Sequence, residues 1–174
     1  MKGYKAFNGN LTNRYGKEFK EGEIYSVEGP LKFGIDGNGI HFCRRLEDTL
    51  RYVPAMEEEV DIAEVTSLGE VVESYDEYYG YYDLYAARTI KIDKVLSRNE
   101  IIKMYLNKDT ESVIRFVSGY RLTPEEIEMF KIRYCDEERI IKAIMYYQEN
   151  DKTVYNNKCK VKKGDLWKIN YFIK

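Results

Sequence analysis

Ala86-Ala87-Arg88-Thr89-Ile90-Lys91-Ile92-Asp93-Lys94-Val95-Leu96-Ser97-Arg98-Asn99-Glu100 holds the change of period on which the fold turns. Up to Leu96 the residues alternate, with Ala87, Thr89, Lys91 and Asp93 on one face and Ala86, Arg88, Ile90, Ile92 and Lys94 on the other. Ile90 and Ile92 mark that second face as the core side of a strand. At Ser97 the pattern becomes a capping box, in which a Ser side chain and the Glu three residues later satisfy amides that a helix start leaves open. A strand that hands over directly to a helix at this point splits the chain into a β-rich first half and a helical second half.

Outward from that junction the signals agree. Towards the N-terminus, Gly3-Tyr4-Lys5-Ala6-Phe7 reads as a short strand stopped by Asn8-Gly9-Asn10, and Glu23 to Val27 as a second. Leu31 to Ile35 is a third candidate, followed by a tight turn at Asp36-Gly37-Asn38-Gly39. Ile40 to Cys43 is extended, and Leu46, Thr49, Leu50 and Val53 predict a short helix that stops before Pro54. Ile62 to Val65 and Gly69 to Val72 read as one strand with a bulge or turn at the glycine. Towards the C-terminus, Ile101, Ile102, Tyr105 and Leu106 form an apolar stripe, and Val113, Ile114, Phe116, Val117 and Tyr120 form another. Thr123-Pro124-Glu125-Glu126 is a second capping box with Pro at the first helical position, and Asp136 is expected to cap a last helix. Val154 to Ile173 returns to alternation. The expected fold is therefore α+β: a small mixed or antiparallel sheet within residues 1–97, a helical subdomain over 98–150, and a C-terminal hairpin over 151–174 packing back on the body.

Composition narrows the function classes. A chain of 174 residues with 44% apolar residues can bury a core without covalent staples. Cys43, Cys135 and Cys159 are widely spaced, with no C-x-x-C pair, so three reduced thiols in a reducing compartment are expected and no metal site. Met1-Lys2-Gly3-Tyr4 opens no apolar leader, and no apolar run is long enough for a bilayer, so a soluble cytoplasmic protein is expected. The net charge of −2 hides an uneven distribution. Ala55 to Ala87 carries ten acids and no Lys or Arg, whereas Lys152 to Lys174 carries seven lysines against Asp165 alone.

Several constellations could carry chemistry. His41, the only histidine, could act as an acid or base near neutral pH or serve as a satisfied strand residue. Gly34, Gly37 and Gly39 precede a strand and no helix, so they predict a turn and no phosphate loop. The acids from Glu57 to Asp61 lack calcium-loop spacing and read as a solvated edge. Lys158, Lys160 and Lys162 with Trp167 could hold phosphates, but edge strands also carry lysines against unwanted pairing, and nucleic acid is not the expected partner. Tyr75, Asp76, Glu77, Tyr78, Tyr79, Tyr81, Tyr82 and Asp83, grouped around Gly80, have the composition of a contact surface for a basic protein.

Lys2-Gly3-Tyr4-Lys5-Ala6-Phe7-Asn8, Gly39-Ile40-His41-Phe42-Cys43 and Ala63-Glu64-Val65 with Leu68-Gly69-Glu70-Val71 resemble, in order and spacing, a domain of unknown function found in uncharacterised bacterial and phage proteins. The resemblance runs from the start to about Val95, and implies a phage or mobile-element setting and no activity. Gly39-Ile40-His41-Phe42 before Leu46 to Tyr52 is also similar to a strand–helix unit of ADP-ribosyltransferases. That similarity implies NAD as cofactor, His41 at the nicotinamide position, Tyr4-Lys5 where that superfamily has a His or Arg, and Glu64 as the acid. The leading expectation is a non-enzymatic protein that engages a basic partner, with inhibition of a host nucleic-acid-binding defence protein as its use, and with no cofactor. The alternative is the NAD-binding transferase with Tyr4, His41 and Glu64 as site residues.

Overall fold

The computed structural model describes residues 1–31, 38–53, 55–74 and 84–149. The chain divides into two compact units, Met1–Leu96 and Ser97–Lys174. The first holds a seven-stranded sheet and the second holds helices, so the fold is α+β.

In the first unit the strands are β1 (Lys2–Asn8), β2 (Ile24–Ser26), β3 (Ile40–Cys43), β4 (Val60–Ser67), β5 (Val71–Glu73), β6 (Leu84–Ala87) and β7 (Thr89–Leu96). Helix α1 (Leu46–Thr49) runs on into a 3-10 turn over Leu50–Tyr52. The sheet order is β2-β7-β4-β1-β3-β6-β5, and each of its ladders is antiparallel. The single strand expected over 86–96 is in fact the joined pair β6–β7, bent at Arg88. Pairing is continuous across the bend, because Arg88 N donates to Glu70 O at 3.0 Å and Leu68 N to Thr89 O at 2.8 Å. On the partner side, Gly69 at φ +93° turns β4 into β5, a backbone state that glycine reaches without a Cβ clash.

This bend curls the sheet on itself. β4 borders β1, β1 borders β3, β3 borders β6, and β6 continues into β7, which pairs back onto β4. The strands so arranged enclose one core of Phe7, Phe19, Ile40, Phe42, Ala63, Val65, Tyr85, Ala87, Ile90 and Ile92. Lys94 does not take the core face that simple alternation assigns it. The register shifts between Glu64 and Val65, pairing them with Lys94 and Ile92, so Asp93 is an extra residue. Beyond it Val95 packs against the core and Lys94 is exposed. Arg88 is likewise outside the core, its guanidinium bound to Glu70.

The ring closes at β1 and β3, whose register pairs Tyr4 with Cys43. Beyond that pair the two strands separate, and the ammonium of Lys5 donates to the His41 carbonyl at 2.9 Å. Gly3 stands at the tightest point of this seam, where a Cβ would run into the Cys43 carbonyl and the Phe42 ring.

The second unit contains α2 (Arg98–Tyr105), α3 (Thr110–Gly119), α4 (Pro124–Arg133) and α5 (Glu138–Tyr147). Both capping boxes form, at Ser97/Glu100 and Thr123/Glu126. Asp136 does not cap the last helix; Glu137 holds that position without a side-chain bond, while Asp109 caps α3 by accepting from Ser112 N. Tyr105 stacks on Phe116 with centroids 3.9 Å apart, and Phe116 meets Tyr120 and Phe130. The C-terminal hairpin expected over 151–174 lies outside the described residues, as does the strand expected over Leu31 to Ile35 apart from Leu31 itself.

Candidate functional site

Where β1 and β3 part, the first unit has a cavity of about 500 Å³. Its walls come mainly from β1, the loop after it, β3 and the 3-10 turn that follows α1, with Leu84 added from β6.

On β1, alternation puts Lys5 on the same face as Phe7, the core face. Its Nζ lies 5.3 Å from the Phe7 ring centroid as well as on the His41 carbonyl. Burial pulls the Lys5 ammonium down to about 8, only partly offset by attraction to Cys43. The loop from Asn13 to Lys17 is tied by its own backbone and by one side chain. Asn13 Oδ1 accepts from Tyr15 N at 3.0 Å and Lys17 N at 2.9 Å, and Gly16 N donates to Asn13 O at 2.9 Å. A loop closed in this way holds Arg14, Tyr15 and Lys17 in a defined arrangement. The Arg14 guanidinium carbon lies 4.7 Å from the Tyr15 ring centroid, and Lys17 Nζ 5.3 Å from that of Tyr25.

His41 comes from β3. Burial, followed by the positive charges of Lys5 and Arg14, holds its imidazole below the usual histidine range, so it is neutral at pH 7. Lys5, Arg14 and His41 all line the cavity. Phe7, Phe19, Ile40, Phe42 and Leu84 supply an apolar wall, with Tyr52 and Val53 from the turn. Among the described residues lining the cavity none is Asp or Glu.

A family model described as a domain of unknown function (DUF7666) matches residues 1–104. The chain belongs to the DUF7666 family. The match covers the whole sheet unit and most of α2. No curated protein and no solved structure matches the chain.

The DUF7666 segment brings Tyr4 and His41 to the same cavity. Glu64, the third residue of the transferase reading, is the β4 partner of Tyr4 across the ladder and does not line the cavity. Its effect falls on Tyr4, whose hydroxyl is pushed above its ordinary range by burial and then by the charges of Glu64 and Glu47. Tyr75, Asp76, Glu77, Tyr78, Tyr79, Tyr81, Tyr82 and Asp83 lie outside the described residues, as do Lys158, Lys160, Lys162 and Trp167. Their neighbour Tyr85 is a core residue, buried against Phe42 with ring centroids 5.6 Å apart. Of the acids in the same stretch, Glu70 is bound to Arg88 at 2.6 Å, and Glu73 accepts from the Tyr85 hydroxyl at 3.3 Å. No group of three or more His, Cys, Asp or Glu among the described residues could hold a metal ion, and no helix among them is long and apolar enough to cross a membrane.

Sequence reasoning passed over Arg14, Lys17, Tyr15 and Tyr52. One signal for the first three was present: Asn13-Arg14-Tyr15-Gly16-Lys17 is an Asn-x-x-Gly turn that carries one cation and is followed by another, in the loop after the first strand.

Proposed function

We propose that the DUF7666 domain of this chain is a binding module that takes a small anionic ligand in the cavity between β1 and β3. The observation that carries the reading is the charge of its lining. The cations Lys5, Arg14 and Lys17, together with His41, line a partly apolar cavity in which none of the described residues is a carboxylate, in a chain whose net charge is −2. Cations gathered where water is partly excluded gain most from an anion supplied from outside. A volume of about 500 Å³ falls within the roughly 300–1,000 Å³ common for small-molecule sites. Glu64, the acid of the ADP-ribosyltransferase reading, does not line this cavity, and the present reading is one of binding.

The test is a thermal-shift titration with inorganic pyrophosphate at low salt, on wild type and on Arg14→Gln/Lys17→Gln. A ligand that binds only the native state raises the melting temperature by mass action. A saturable rise that the double variant loses is the expected result. No rise in wild type, or an equal rise in both proteins, would contradict the proposal.

A second reading is a carboxylate surface for a basic protein partner, such as a host defence protein met by a phage-borne inhibitor. Its support is the run Glu57, Glu58 and Glu59, all three exposed. Replacing them by Gln, and separately Tyr79, Tyr81 and Tyr82 by Ser, should each abolish salt-sensitive binding to a lysine-rich polypeptide. Unchanged binding in both variants would remove this reading.

A further inference from the structure

The cavity carries exposed rings as well as charges. Tyr15 is 71% exposed and Tyr52 56% exposed, and both line it. Among the described residues of the same unit, the other large apolar side chains that are exposed, Met1, Ile24 and Leu68, do not. Lys5 and His41 stand on β1 and β3, whereas Arg14 belongs to the exposed loop with its guanidinium against Tyr15, so the open rings border the cavity beside its cations. An inorganic anion or a sugar phosphate would satisfy the cations and leave both rings in water. A ligand with a phosphate at one end and a flat heterocycle at the other would use both parts of the site.

We propose that the ligand is a nucleoside phosphate, bound with its phosphate at Lys5, Arg14 and His41 and its base against Tyr15 and Tyr52. This rests on the anion-binding reading above and adds the class of ligand. Stacking on an aromatic side chain strengthens binding by about tenfold or more per base. The rings therefore decide between a nucleotide and a bare phosphate, while the cations serve either.

The experiment is calorimetric titration of the full chain with AMP, adenosine and inorganic phosphate, on wild type and on Tyr15→Ala/Tyr52→Ala. Both side chains are exposed, so the substitutions leave the core intact; a circular dichroism melt verifies this. The expected result is that AMP binds wild type about tenfold or more tightly than phosphate. The double variant should lose that advantage and keep its affinity for phosphate. AMP binding no more tightly than phosphate, or a variant that weakens both equally, would overturn the nucleotide assignment and leave anion binding standing. Wild type that binds neither AMP nor phosphate would overturn both.

Discussion

Replacing Lys5 by Met removes a buried ammonium from the core face of β1 and keeps an unbranched chain of similar length. The sign of the effect depends on pH. The ammonium is held at about 8 in the folded chain against 10.5 when unfolded. That difference corresponds to ~3 kcal/mol of destabilisation wherever the folded group must carry its proton, which is below pH 8. The destabilisation is relieved as pH rises from 8 towards 10.5, because the folded state releases its proton first. Met carries no such penalty, but it leaves the His41 carbonyl without the Lys5 donor, a loss of about 1–3 kcal/mol. At pH 7 Lys5→Met should thus lie between equal in stability to wild type and about 2 kcal/mol more stable. At pH 10 the balance should move towards wild type by roughly 2–3 kcal/mol. Urea unfolding of both proteins at the two pH values, followed by circular dichroism, reads the difference directly, and titrations shared by both cancel. A stability difference that does not change with pH would show that the Lys5 ammonium is not desolvated, and the reasoning about the site would fail with it.

Other outcomes follow from single contacts. Gly3→Ala should lower stability by about 1–3 kcal/mol, since a Cβ there meets the Cys43 carbonyl and the Phe42 ring; an unchanged melting temperature would mean that the seam is wider than described. Thr123→Ala removes the acceptor for Glu126 N and should reduce stability by about 1 kcal/mol, which a urea midpoint would register. Anion affinity should fall as pH rises through about 8, where Lys5 loses its proton; pyrophosphate titrations at pH 7 and pH 9 that agree would place the anion away from Lys5.

The strands and helices were legible where one residue type decides local geometry. Ser97/Glu100 and Thr123/Glu126 satisfy helix amides within four residues of chain, so their helices begin where the sequence places them. Ile90 and Ile92 are both fully buried. Asp136 misled because a capping residue one position away from the helix start is as good by composition and useless by geometry. The bend at Arg88 left no mark in the β6–β7 stretch, because it depends on Gly69 in the partner strand. The extra residue at Asp93 likewise arises from register against β4. The site was hidden for a related reason. Lys5, His41, Arg14 and Tyr52 are remote in sequence and meet only because the curled sheet closes at Tyr4 and Cys43 and opens beyond them. A lysine in the period of Gly3 and Phe7 was visible as an anomaly on a core face, but its partner, the His41 carbonyl, is a backbone atom that sequence cannot single out.

His41 is the only histidine, so its imidazole gives one NMR signal that reports from inside the cavity. Following that signal against pH, with and without saturating inorganic pyrophosphate, addresses the central claim most directly. Without ligand, burial and the charges of Lys5 and Arg14 should keep its titration below the ordinary histidine range. An anion among those cations should move the midpoint upwards, because the bound negative charge favours the imidazolium. A midpoint that pyrophosphate leaves unchanged would contradict an anion site between β1 and β3.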